Sequence, residues 1–322
     1  MTEDISYTTE EIAKLLKISK LTVYDLIKKG ELPSYRVGKQ MRVDASDLQA
    51  YKQRAKSARP GAPATSPAAA QTGEGAAAPA AADANLRAVI ITGQDTSLDI
   101  LARHLEGGES GIRPLRSHMS SMDSLIALYK GEADLVSLHL LDGDTGDYNE
   151  PYVRRLLVGL PYRIVRLLAR QAGLYVQRGN PLGLKSWKDL ARPGLCLINR
   201  EQGSGTRVLL DEQLRLHGID AAGLAGYDRI ATNHLGVAAK VASGEADVGI
   251  GMEKAAMLAG AVEFVPLLRE CCDLVMLDTT VNRSWIGEVL RIVRSDAFRR
   301  ELEALEGYDL SEIGRLIAPS GP

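Results

Sequence analysis

Residues 199–214, NREQGSGTRVLLDEQL, and residues 232–251, TNHLGVAAKVASGEADVGIG, decide the fold. In the first, an apolar β-like run from Leu195 ends at Asn199, a glycine-rich turn follows, and a long helical pattern opens with Ser204 in a capping position. In the second, a helical pattern gives way to a GEAD turn and a short strand. Outward from these, β-like runs at 87–92, 134–138, 163–170, 195–199, 247–250 and 263–267 alternate with helical patterns. That order predicts α/β layers with largely parallel sheets. LIALYKGEADLV at 125–136 echoes AAKVASGEADVG at 238–249, an offset of 113 residues, which predicts two similar lobes.

The whole chain has 322 residues, 39 Lys+Arg against 41 Asp+Glu, 45% apolar and 5% aromatic content. This ordinary composition excludes collagen, coiled coil and disorder throughout. No apolar run reaches the roughly 18 to 20 residues that span a bilayer, and the N-terminus lacks a signal-peptide pattern, so a cytoplasmic location is expected. Cys196, Cys271 and Cys272 are too few and too badly spaced for a disulfide framework or a zinc pair, and no cofactor motif or metal site is expected. The near balance of charge hides an asymmetry. Residues 1–59 carry net +4 and the remainder −6, with +8 concentrated in residues 14–59. A compact basic block suggests a polyanion partner. Residues 60–85 hold 12 Ala, 4 Pro and 3 Gly and no Leu, Ile, Val, Met or aromatic side chain, the composition of a flexible linker.

In residues 1–59, Thr8 and Glu11 have capping-box spacing ahead of a helix of about eight residues carrying Ile12, Leu15 and Leu16. Lys17-Ile18-Ser19 reads as a turn. A second helix runs through Lys29 to the stop at Gly30, with Val23, Leu26 and Ile27 inward. SYRVGKQMRV (34–43) reads as a β-hairpin wing, followed by a helix with Leu48 and Tyr51. Over residues 5–54, TTEEIAKLLKISKLTVYDLIKKGELPSYRVGKQMRVDASDL closely resembles the excisionase/MerR-type winged helix-turn-helix family. The resemblance implies a double-stranded DNA partner. It places Ser19, Lys20, Thr22, Tyr24 and Lys28 at the major groove and Arg36, Lys39 and Arg42 of the wing near phosphates, roles that suit their short hydroxyls and cations. One such module offers about 600 to 1,000 Å² of contact, so a homodimer or higher homo-oligomer is expected.

Residues 86–280, through ITGQDTSLDILARHL, SLIALYKGEADLVSLHLLDGDTGDYN, PLGLKSWKDLARPG and the two opening stretches, resemble the periplasmic-binding-protein-like ligand domain of type II topology. The similar branch includes molybdate- and tungstate-binding proteins and cytoplasmic regulators fused to a small DNA-binding module. The expected architecture is therefore a small α+β winged helix-turn-helix domain followed by a two-lobed α/β domain over 86–322. Lobe I is expected at about 86–172 and 268–322 and lobe II at about 173–267, with crossovers near 170–175 and 264–270. Three loops, Gly93–Ser97, Ser120–Ser124 and Gln202–Arg207, follow strands and open helices, so they present unpaired N–H groups at positive helix ends. The candidate ligand residues are Thr92, Gln94, Asp95, Ser97, Ser120, Ser121, Ser204 and Thr206, with Arg200 and Arg207 as cations and His139 and His234 lining the cleft. Asp95 and Asp123 depart from a donor-only lining: molybdate and tungstate want donors, whereas phosphate or a small carboxylate metabolite bearing O–H or N–H groups can use an acceptor. No nucleophile-base-orienter set, GxSxG, P-loop or calcium-loop spacing occurs. The expected function is a one-component transcription regulator sensing a small anion. The alternatives are an enzyme of cofactor or anion metabolism with a DNA-binding appendage, and a ligand-free architectural protein.

Overall fold

A computed structural model describes residues 6–16, 23, 26–27, 32–37, 40–45, 47–49, 51, 86–107 and 111–319. The chain divides into two compact units, Met1–Pro79 and Ala80–Pro322.

In the first unit the Thr8 amide donates to Glu11 Oε2 at 2.8 Å and the Glu11 amide to Thr8 Oγ1 at 3.3 Å. This reciprocal pair satisfies two donors at the start of helix α1 (Thr9–Leu16). Strands β2 (Tyr35–Val37) and β3 (Gln40–Asp44) form the hairpin. A further strand, β1 (Ser6–Thr8), pairs with β3 to give the antiparallel order β1-β3-β2. Ile12, Val23, Leu32, Val43 and Leu48 are the buried core, and Val23, Leu26 and Ile27 are helical. The rest of the expected recognition helix lies outside the described residues.

The second unit is a two-lobed α/β domain built on one ten-stranded sheet. Strands β4 (Arg87–Thr92), β5 (Ile112–Ser117) and β6 (Leu135–Leu138) are parallel, and β5-β4-β6 forms one edge. Helices α2 (Ser97–Glu106) and α3 (Ser121–Lys130) connect them. α4 (Glu150–Leu156) follows, and then β7 (Tyr162–Gln177) crosses into the second lobe. There β8 (Leu197–Arg200), α5 (Gly205–Leu216), β9 (Ile230–Ala231), α6 (His234–Ala242), β10 (Val248–Met252) and α7 (Glu253–Ala259) follow, with β8 parallel to both β9 and β10. β11 (Val262–Leu277) returns to the first lobe, which α8 (Arg283–Val293), α9 (Asp296–Glu303), β12 (Tyr308–Asp309) and β13 (Leu316–Pro319) complete.

The expectation of largely parallel sheets fails in the middle. β7 and β11 are 16 residues each and run antiparallel to one another through both lobes. The strand expected at 163–170 stops at Arg170 and the one at 263–267 stops short of Glu270 and Asp273, which face Arg170 and Arg166 across the pair. In the structure those charges neutralise one another across the pair, so the backbone continues extended past them.

Each lobe buries its helices by ordinary spacing. Leu98, Leu101 and Leu105 of α2 join Trp285, Val289 and Phe298 in the first lobe; Leu209, Leu210 and Leu214 of α5 join Leu174, Val248 and Ile250 in the second. The sequence echo is a repeated device. Asp134 Oδ2 accepts the Ile90 amide and Asp247 Oδ2 the Cys196 amide, both at 2.8 Å, so each GEAD aspartate pins the neighbouring strand of its own lobe.

Candidate functional site

Three helix N-termini and the loop before a fourth helix line a narrow cavity between the lobes. Gly93, Gln94 and Asp95 lead into α2, Ser120 caps α3, Ser204 caps α5, and His234 opens α6. Met119, Ser121, Ser137, His139, Arg170, Arg200, Gly205, Met252 and Cys272 complete the lining. The first amides of a helix have no carbonyl four residues back, so Ser121, Gly205 and His234 bring donors at the positive ends of three dipoles. The volume of the cavity is about 20 Å³. That is a little above the roughly 10–15 Å³ that one water needs, so the closed space is narrow. The lobes are closed over it: the Met122 amide donates to Gly203 O at 3.0 Å and Arg200 Nη2 to Gln94 Oε1 at 2.9 Å.

Close packing at α5 depends on Gly205. A Cβ there would sit 2.2 Å from His139 Cδ2 and 2.5 Å from the His139 carbonyl oxygen. Only glycine lets the helix start reach the cavity wall. Ser204 Oγ accepts the Arg207 amide at 3.2 Å, which leaves its own proton for a guest. Ser120 Oγ accepts the Asp123 amide and donates to Asp123 Oδ2 at 2.7 Å, so its proton is already used.

Arg170, from the strand crossing, is the central charge. Its Nη1 donates to Asp95 Oδ2 and its Nε to Glu270 Oε2, both at 2.6 Å, and all three side chains are buried. Asp95 also accepts the Ser97 amide at 2.8 Å, Ser97 Oγ at 2.6 Å and Tyr308 Oη at 2.8 Å. Burial alone would raise the Asp95 carboxyl, but Arg170, Ser97 and Tyr308 hold it below the usual range. Four bonds occupy its two oxygens, so it orients Arg170 and has little capacity left for a ligand. Arg200 donates to both Glu201 oxygens at 2.7 Å. His139 lies 3.1 Å from Ser121 Oγ through Nδ1, and burial pushes its pKa down to about 4. Burial, then Arg200 and Arg170, depress His234 as well. Its buried Nδ1 has no hydrogen-bond partner among the described residues. Both imidazoles are neutral at pH 7, each with one N–H to donate.

The structure thus gathers Gln94, Asp95, Ser120, Ser121, His139, Arg200, Ser204 and His234 around one cavity. Four candidates stand apart from its lining. Thr92 is fully buried in β4, with Oγ1 unpartnered among the described residues. Ser97 spends its hydroxyl on Asp95. Thr206 is buried and does not line the cavity. Arg207 was the expected permanent cation, but its guanidinium lies 4.0 Å from the Tyr227 ring and its Nε donates to Asp211 at 3.1 Å. The cation in its place is Arg170, which sequence reasoning missed. The signal was there: charged residues interrupting two apolar strands, RIVRLLAR at 163–170 and LLRECCDLVML at 267–277.

Of the expected DNA contacts, Ser19, Lys20, Thr22, Tyr24, Lys28 and Lys39 lie outside the described residues. Arg36 pairs through its backbone with Met41 in the hairpin, and Arg42 Nη1 donates to Ser6 Oγ at 3.2 Å. Among the described residues no group of three or more His, Cys, Asp or Glu is placed to hold a metal ion, and no helix is long and apolar enough to cross a membrane.

Comparison with known proteins gives two family matches, the PBP superfamily domain over residues 102–294 and a helix-turn-helix domain over residues 6–56. The uncharacterized protein YvgK of Bacillus subtilis is 48% identical over 98% of this chain and 99% of its own length. A protein of Mycobacterium tuberculosis named for DNA binding is 53% identical over 38 residues, 12% of this chain and 49% of that protein. Among solved structures, a histidine kinase sensor domain with similarity to periplasmic binding proteins has a TM-score of 0.50 at 12% identity, covering 70% of this chain and 98% of that one. EhuB in complex with hydroxyectoine also has a TM-score of 0.50, at 14% identity, over 70% and 90%. Both likenesses are of fold.

Proposed function

The chain belongs to the PBP superfamily and joins that ligand domain to an N-terminal helix-turn-helix, the make-up of a ligand-responsive DNA-binding regulator, and we propose that the signal it reads is a small anion held in the closed cavity. The observation that carries this reading is the convergence of three helix N-termini and two neutral histidines on one narrow space between the lobes. Molybdate and tungstate match most of its donors; phosphate, sulfate or a small carboxylate are the competing guests. The ligand residues are Gln94, Ser121, His139, Arg200, Ser204 and His234, with Arg170 set by Asp95 and Glu270. Ser19, Lys20, Thr22, Tyr24 and Lys28, with the wing cations, bind DNA in the cytoplasm as part of a dimer, and the segment around 60–85 is the linker. A ligand controls DNA binding only by preferring one arrangement of the subunits, here the closed lobes.

Thermal denaturation of the full chain with sodium molybdate, tungstate, sulfate and phosphate tests the reading. An anion at 100 times its dissociation constant adds about 2.7 kcal/mol, a rise of several degrees in the transition of the ligand domain. No shift with any of the four, or with acetate, would defeat it.

A further inference from the structure

A second and larger space opens beside the closed cavity. It measures about 550 Å³, and its walls come from both lobes: Gln94 and Tyr308 from one, Leu235, Lys254 and Leu258 from the other. A volume of that size at a boundary between lobes is typical of small-molecule sites. Two features give it chemistry. Leu235 and Leu258, on adjoining helices α6 and α7, are 47% and 69% exposed at its rim. Each alone would be unremarkable, but together they make an apolar wall where a polar surface would be expected. On the same wall stands Lys254, whose Nζ donates to Tyr308 Oη at 3.2 Å and lies 4.3 Å from the Tyr308 ring. Among the described residues no carboxylate pairs directly with that ammonium: Tyr308 Oη links it to Asp95, and Glu201, on the same wall, is held by Arg200. Arg200, at the partition between the two spaces, is by contrast already neutralised by Glu201.

We propose that this outer space is a second ligand site, for an organic monoanion whose carboxylate meets Lys254 and whose apolar body lies against Leu235 and Leu258. It is distinct from the closed cavity, although Gln94, His234 and Met252 border both. Because its walls come from both lobes, an occupant there stabilises the closed form.

Isothermal titration calorimetry of the full chain with sodium acetate, butyrate and hexanoate tests the site. Each added methylene should tighten binding by about fourfold. Leu258→Ser or Leu235→Ser should flatten that series while acetate binding stays the same; both residues are exposed, so folding is not at stake. Lys254→Gln should weaken every member by about tenfold. Saturating sodium molybdate should leave hexanoate binding in place. A flat series, absent binding, no effect of Lys254→Gln, or competitive displacement of hexanoate by molybdate would each overturn the proposal. If molybdate binds and no carboxylate does, the outer site falls and the closed-cavity reading stands.

Discussion

At the strand crossing Arg170 meets Asp95 and Glu270 in the interior, all three at or below 7% side-chain exposure; on α5, Arg207, 12% exposed, meets Asp211, which is 44% exposed, and stacks on Tyr227. Both arginines form ion pairs of good geometry, yet burial makes them different objects. A buried pair returns little net stability over an apolar replacement, but removing one partner strands a charge in a low dielectric. A pair with one partner open to solvent is partly screened and contributes less. Arg170 is therefore a position the fold cannot lose, whereas Arg207 is a local brace.

The largest effect that sharpens this contrast is Arg170→Ala. It leaves Asp95 and Glu270 facing each other without a cation and should cost about 3–5 kcal/mol, near a 10 °C fall in melting temperature for a domain of this size. Combining it with Glu270→Gln should recover part of the loss. A loss under about 1 kcal/mol in a denaturant melt would erase the distinction between the two arginines.

Next in size is a pH effect at the cavity. His139 has a folded pKa of about 4, depressed mainly by burial, against an unfolded value of 6.5. Below pH 6.5 the unfolded chain takes up a proton that the folded chain refuses. Stability is thus full above pH 6.5 and declines as pH falls towards 4, by up to about 3 kcal/mol. His139→Gln should remove its share of that decline, the share of His234 remaining. An unchanged profile would show that the imidazole is not held neutral by the fold.

Gly205→Ala probes the same wall sterically. The added methyl would fall 2.2 Å from the His139 ring, so α5 or loop 139–149 must retreat, at about 1–3 kcal/mol and with loss of anion-dependent stabilisation. Retained anion response would mean that the α5 N-terminus is not part of the site. The smallest effect is expected for Arg207→Ala, within about 1 kcal/mol and with anion binding intact. If this variant abolishes the anion-induced shift, the outer face of α5 is the ligand surface after all.

These contrasts also mark what the chain's residues disclose without coordinates. Helix starts were readable because serine before a helical pattern has one local explanation, and Ser120 and Ser204 both cap as their spacing requires. The GEAD echo was readable for the same reason, each aspartate bonding the neighbouring strand of its own lobe. The full length of β7 and β11 was not, because Arg170 and Glu270 look like strand breakers until each is seen to neutralise the other across a register of a hundred residues. Arg207 misled for a complementary reason. Its place in GSGTR marks the helix start, but whether it turns inward or lies over Tyr227, 20 positions on, is a matter of packing and not of local sequence.

The central claim is that occupancy of the closed cavity changes how the full chain holds DNA. It is tested most directly by selecting the protein's site from genomic fragments, then titrating that site by fluorescence anisotropy with molybdate, tungstate, sulfate and phosphate each absent or present. At least one of the four should shift the DNA dissociation constant by fivefold or more. The same affinity under all four conditions, in protein freed of bound anion by dialysis, would contradict the account.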